Sequence, residues 1–318
     1  MWLLRKWCGE CAIIPTKGPI PGPKIHSDLF PRRLPMKFKV SCNLDYTLED
    51  PATFLFALKC IRTPGQQILS EVLTVSPVVQ VEDFSVGSGM NRFSRFQTFN
   101  PSLLSVSYQA EVTTSIKIVQ VSSLFADTPV NLSPDAIYHL FPSRYCPADR
   151  FRNQAMELFG HFTSPHDIAA AVSDWIFQHI SYVSGSSQET SSAVETIEQR
   201  QGVCRDFAHL AITFCRAMSV PARYATCYAY QLNPPDFHAC FEAFLDGCWY
   251  IFDPTRLVPL NGLVRIATGR DAADVAVCTI FGNPILTSSS VTCDCQDDAF
   301  IPVTRDSLAS VQGAIALL

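Results

Sequence analysis

Residues 38–46 alternate without a break: Phe38, Val40, Cys42, Leu44 and Tyr46 are apolar, and Lys39, Ser41, Asn43 and Asp45 between them are polar. A period of two puts one set on each side of an extended chain, so the segment predicts a half-buried strand. Residues 104–112 repeat the pattern, Leu104, Val106, Tyr108, Ala110 and Val112 standing against Ser105, Ser107, Gln109 and Glu111, and Ile116, Ile118 and Val121 extend the apolar side. Turn chemistry recurs between the two runs, at Pro64-Gly65, Ser76-Pro77, Gly87-Ser88-Gly89 and Asn100-Pro101. Short strands separated by such turns predict an antiparallel β-rich domain, sandwich or sheet, over residues 36–130.

Past residue 130 the period changes. Ser133-Pro134-Asp135 and Pro147-Ala148-Asp149 read as helix starts, and Ile168, Ala171, Val172, Trp175, Ile176 and His179 form a helical stripe. The loop Ser184-Gly185-Ser186-Ser187 then leads to a short helix from Ala193 to Gln199. A longer amphipathic helix follows, with Phe207, Leu210, Ala211, Phe214 and Met218 on one face, Pro221 as its stop and Cys204 on its first turn. In the next segment Phe237, Ala239, Phe241 and Ala243 alternate with His238, Cys240, Glu242 and Phe244, which turns His238 away from the purely apolar face. Asp246-Gly247 reverses the chain, so residues 237–245 and 248–253 are expected to pair as an antiparallel hairpin.

The expected class is therefore α+β: the β-rich domain, a second domain of helices packed on an antiparallel sheet over residues 131–290, and a C-terminal tail from 291 to 318. Residues 1–35 carry Pro15, Pro19, Pro21, Pro23, Pro31 and Pro35 and read as an irregular tail.

A chain of 318 residues with 47% hydrophobic and 17% charged residues is long enough for two cores and too apolar for disorder. The net charge of −5 gives no basic footprint for nucleic acid or for an anionic membrane surface. Arg5-Lys6 interrupts the only apolar start, and no run approaches the length of a membrane-spanning helix, so a cytoplasmic protein is expected. An odd count of 13 cysteines favours reduced thiols, and Cys42, Cys60, Cys215 and Cys227 occupy apolar positions where cysteine acts as a small hydrophobe. Cys8-Gly9-Glu10-Cys11 has redox spacing without a βαβ context, and Cys240 with Cys248, or Cys293 with Cys295, lack the second pair that a zinc site needs. Neither a metal nor a cofactor is expected.

Cys204 is the residue with chemistry to offer. Unpaired N–H groups and the positive end of the dipole at a helix N-terminus favour a thiolate, the form that attacks carbonyls. A cysteine at a helix start is ordinarily a packing residue, but His238 and Asp253 follow on neighbouring strand-like segments. Asp253 precedes Pro254, which ends its strand. Cys, His and Asp in that order supply a nucleophile, a base and a group that fixes the tautomer of the base. His209, five residues after Cys204, stands about 140° around the helix and suits a structural hydrogen bond. Asp206, in the first turn, suits capping, with Arg205 and Arg223 as possible ion-pair partners.

Four segments together, Gly202-Val203-Cys204-Arg205-Asp206-Phe207-Ala208, Pro221-Ala222-Arg223-Tyr224, Phe237-His238-Ala239 and Trp249-Tyr250-Ile251-Phe252-Asp253-Pro254-Thr255, resemble the transglutaminase-like superfamily of bacterial type. The resemblance implies an N-terminal β-rich domain before a papain-like core, with Cys204 as nucleophile, His238 as base and Asp253 as its orienter. Residues 269–276 are similar to a further stretch of the family, which would put Asp271 and Asp274 at the cleft edge. Arg205 stands where other members carry a tryptophan. The implied chemistry is acyl transfer on a peptide or protein substrate, with the Cys204 N–H as one oxyanion donor and Tyr182 or Gln188 as candidates for the second. Water as acceptor would make a cysteine peptidase or amidase, and a lysine amine would make a cross-linking enzyme. Hydrolysis is preferred because no D-x-[DN]-x-[DN]-G calcium loop is present. A non-catalytic scaffold with the same fold is the rival.

Overall fold

The computed structural model describes residues 34–86, 90–99, 102–124 and 129–318. The expected proline-rich tail up to residue 33, Cys8 and Cys11, and the turns at Gly87-Ser88-Gly89 and Asn100-Pro101 lie outside the described residues. The protein is α+β, with an antiparallel β domain ahead of a mixed core.

The first part consists of strands β1 (Leu34–Leu48), β2 (Ala52–Phe56), β3 (Gln66–Ser76), β4 (Glu82–Val86), β5 (Asn91–Thr98) and β6 (Ser102–Gln120). The two alternating runs pair with each other, Phe38 opposite Val112 and Leu44 opposite Val106. Their apolar sets are buried and their polar sets face outward. The inner face meets a second sheet through Tyr46, whose ring lies 5.3 Å from that of Phe54. Phe54, Phe56 and Phe96 stack beneath it at 5.3–5.8 Å. Each such ring, at about 25 cal/mol per Å² of buried apolar surface, favours the closed pair of sheets by roughly 2–3 kcal/mol.

The second part runs α1 (Pro134–Ile137), α2 (Arg152–Phe159), α3 (Pro165–His179), β7 (Ser181–Tyr182), α4 (Ala193–Gln199), β8 (Gln201–Gly202), α5 (Cys204–Ala217), β9 (Ala222–Ala229), β10 (Phe237–Leu245), β11 (Cys248–Phe252) and β12 (Leu263–Gly269). Helix starts are written in the sequence: Ser133 and Ser164 cap α1 and α3 ahead of Pro134 and Pro165. Ser192 and Glu195 form a reciprocal capping box on α4. The sheet β11-β10-β9-β12 is antiparallel, and α5 lies against its centre. Phe214 of α5 is ringed by Phe151, Phe159 and Trp175.

The amphipathic spacing of α5 and the alternation of β10 predict one polar face for each, and neither keeps one. Residues 206–217 of α5 are all buried, and β10 is buried on both sides except at Phe244. The outer side of α5 is packed by α2, α3 and α4, and that of β10 by the chain beyond residue 270. After β13 (Cys278–Phe281) and β14 (Ile285–Cys295) come α6 (Arg305–Ser310) and β15 (Gly313–Leu317). β13 and β14 return to the β domain, pairing with β2 and β1. β15 pairs with β6 while Ile315 and Leu317 pack into one cluster with Cys227, Cys240 and Ile251. The far side of the β10 sheet is therefore covered, and residues 291–318, set apart above as a tail, hold the end of β14 together with α6 and β15. No helix among the described residues is long and apolar enough to cross a membrane.

Candidate active site

Cys204 is delivered to the start of α5 by β8, which pairs parallel with β7 so that Tyr182 stands opposite Gly202. Val203 is extended, and the Asp206 side chain folds back over it to accept a hydrogen bond from the Val203 N–H at 2.9 Å. That fold-back needs Gly202, where a Cβ would lie 2.7 Å from the Cβ of Asp206. The other Asp206 oxygen accepts from the Ser187 hydroxyl at 2.9 Å, and Arg205 Nη2 donates to the same hydroxyl at 2.8 Å. Asp206 is thus the capping residue expected. It pairs weakly with Arg205 at 3.4 Å, whereas Arg223 is engaged with Glu242. The N–H groups of Cys204 and Arg205 have no acceptor among the described residues, which leaves the helix N-terminus open at a half-buried thiol.

The hairpin forms as the Asp-Gly signal predicts. Asp246 and Gly247 both take positive φ, 48° and 75°, the geometry of a two-residue turn matched to strand twist. Phe241 pairs with Phe252, so Asp253 leaves β11 beside the start of β10. There Asp253 Oδ2 and His238 Nε2 lie 3.0 Å apart, each side chain 1% exposed. The second Asp253 oxygen accepts from the Thr255 N–H at 2.9 Å and from the Thr255 hydroxyl at 2.7 Å. With Nε2 committed to Asp253, Nδ1 is the nitrogen left for chemistry. It is buried and makes no aligned hydrogen bond, while Cys204 lies close enough to act on the ring both as a hydrogen-bonding and as a charged neighbour. Resting enzymes commonly hold such contacts long until substrate arrives. Burial pushes the imidazole down, but the Asp253 carboxylate and Cys204 outweigh it and hold His238 well above the usual histidine range.

Thr255 was visible in the motif without a role; here it fixes the carboxylate that fixes the imidazole. Thr255→Val removes one of the two hydrogen bonds to the second oxygen and retains the N–H. A hydrogen bond to a charged group is worth about 1.5–3 kcal/mol, so the rate of Cys204 alkylation near neutral pH should fall about tenfold or more. Thr255→Ser should restore it; equal loss in both variants would reduce Thr255 to a packing residue.

Tyr182 is half-buried with its ring 5.7 Å from that of Phe207. Gln188 is exposed, and its backbone carries the contacts, the N–H donating to the Ser191 hydroxyl and the carbonyl accepting from Arg205. His209 is buried, its Nε2 accepting from the Ala272 N–H at 3.1 Å, and its ring stacks on Tyr145. Burial pushes His209 well below the usual histidine range, with Arg205 and Arg216 adding to the effect. Asp271 is buried and accepts from the Tyr145 and Ala273 N–H groups, while Asp274 pairs with Arg270. Asp271 therefore ties loops together rather than lining a cleft. Cys240 lies against Cys227, with sulfur atoms 3.9 Å apart, and both are free thiols.

Comparison with known proteins supplies the class. The transglutaminase-like superfamily matches residues 152–254, and the N-terminal domain of bacterial transglutaminase matches residues 36–135. A crystal structure from Cytophaga hutchinsonii, of a protein provisionally assigned as a cysteine protease, is 46% identical with a TM-score of 0.87 and aligns over 91% of this chain and 99% of its own. An uncharacterised protein of Mycobacterium leprae is 28% identical over 146 residues, 43% of this chain and 52% of its own. An uncharacterised protein of Mycobacterium tuberculosis is 33% identical over 116 residues, 31% of this chain and 37% of its own. The chain spans about half or less of the length of these curated relatives. It belongs to the transglutaminase-like superfamily.

Proposed function

We propose that the protein is a thiol-dependent acyl-transfer enzyme that hydrolyses peptide or carboxamide substrates through Cys204, His238 and Asp253. One observation carries the reading: a buried His238–Asp253 pair at 3.0 Å beside a cysteine that opens a helix. The Cys204 sulfur attacks the substrate carbonyl, and the oxyanion accepts from the free Cys204 N–H. His238 gives its proton to the departing amine, then takes one from water as the thioester is cleaved. Asp253 stabilises the imidazolium and keeps Nδ1 turned to the sulfur. The provisional assignment of the Cytophaga hutchinsonii protein favours hydrolysis over cross-linking.

The test is alkylation of Cys204 by iodoacetamide as a function of pH, read by mass spectrometry in wild type and His238→Ala. Ordinary thiols, with pKa about 8.5, are almost fully protonated at pH 6. Fast labelling of Cys204 below pH 7 that collapses in the variant is the expected result. Slow labelling indifferent to His238 would overturn the enzyme reading and leave the scaffold.

A further inference from the structure

Two residues before His238 stands Asp236, at the end of a segment stiffened by Pro234 and Pro235. It is half-buried. One carboxylate oxygen accepts from the Phe237 N–H at 2.7 Å, and the other has no hydrogen-bond or ion-pair partner among the described residues. Burial pushes the carboxyl up to about 6, against the pull of that backbone bond and of the His238 charge.

The other carboxylates around the site are engaged. Asp206 holds Val203 and Ser187, Asp253 holds His238 and Thr255, and Asp174 on α3 holds Arg256 and Arg305. Asp236 stands two residues before His238, so along the chain the two lie no more than about 7 Å apart, and the His238 charge acts on the Asp236 carboxylate. A partly desolvated carboxylate in that position lacks a cation. His238, the positive group acting on it, already answers Asp253.

We propose that Asp236 sets charge specificity at the Cys204 site by binding a protonated primary amine, carried either by the peptide near its reacting carbonyl or by an amine acceptor. This deepens the acyl-transfer reading above and rests on it for the identity of the reacting thiol.

The test compares the full chain with Asp236→Asn, which keeps an acceptor for the Phe237 N–H, and with Asp236→Glu. Modification of Cys204 by the cationic 2-aminoethyl methanethiosulfonate is normalised to that by neutral methyl methanethiosulfonate on the same protein. The cation-to-neutral ratio should fall about tenfold in Asp236→Asn, one partly buried charge pair, and recover in Asp236→Glu. An unchanged ratio overturns the inference. The neutral reagent separates this failure from that of the enzyme reading, which falls if Cys204 shows no dependence on His238. With substrates, a raised KM in Asp236→Asn confined to peptides with a free amine, against acetylated ones, places the amine on the peptide. A raised KM confined to a diamine, against hydroxylamine, places it on the acceptor, and a rise shared by charged and uncharged members of both pairs overturns the inference.

Discussion

Asp253→Asn should lower turnover by about 10³–10⁴-fold in a protein that still folds at neutral pH. The asparagine carbonyl still accepts from Thr255, which turns the amide toward His238. An amide N–H there donates to Nε2, so the imidazole proton moves to Nδ1, the nitrogen that must take the thiol proton. The charge is lost as well. Burial, which in the wild type is outweighed by Asp253 and Cys204, then acts with less opposition and His238 falls toward or below the ordinary range.

Linkage gives this substitution a second signature. In the wild type the folded-state pKa of His238 lies above the unfolded value of about 6.5, so its contribution to stability is complete below pH about 6.5 and fades as pH rises through the higher folded value. With the carboxylate gone and the folded pKa depressed, protonation favours the unfolded chain, and stability is lost as pH falls below about 6.5. Thermal melts at pH 5 and pH 8 should therefore show a gap between wild type and Asp253→Asn that widens in acid. A gap independent of pH would mean that Asp253 does not govern the charge of His238.

Much of this site was legible because its signals are local. The Asp246-Gly247 turn fixes the register of β10 against β11, and that register brings Asp253 to His238. The helix that begins at Cys204 follows from its apolar spacing and Pro221. What was not legible depends on partners far along the chain. β14 pairs with β1 across some 250 residues, and nothing local in Ser288, Ser289 and Ser290 announces it. β15 and α6 cover the outer side of the β10 sheet, so a strand whose alternation predicts one wet face has none. Gln188 drew attention as a polar side chain near the loop, yet its backbone holds Arg205. Thr255 passed as part of a motif because its hydroxyl reaches the imidazole through the acid two residues before it.

The row of polar residues on that covered face yields the largest expected stability effect. Glu242 is fully buried, and its two oxygens take Arg223 at 2.6 Å and Arg265 at 3.0 Å. Arg223 also lies 4.1 Å over the Trp249 ring, and Arg265 reaches the Leu318 carbonyl at 3.0 Å. Gln66 of β3 brackets the Arg265 backbone from the β domain, so one carboxylate neutralises two guanidinium groups where the two sheets meet. Both arginines hold Glu242 below the usual carboxylate range despite its burial. Glu242→Gln leaves two buried cations with no counter-charge. Breaking a buried pair from one side costs about 3–5 kcal/mol, which should lower the melting temperature by roughly 5–10 °C. Replacing all three by apolar residues of similar volume, Arg223→Met, Glu242→Leu and Arg265→Met together, should cost much less, because no charge is left buried and unpaired. If the single variant melts with the wild type, the ionic row contributes little and the sheets are held by Ile315, Leu317 and their apolar neighbours. If the triple variant is the less stable, the arginines' bonds to Leu318 and their packing on Trp249 outweigh the cost of desolvating three charges.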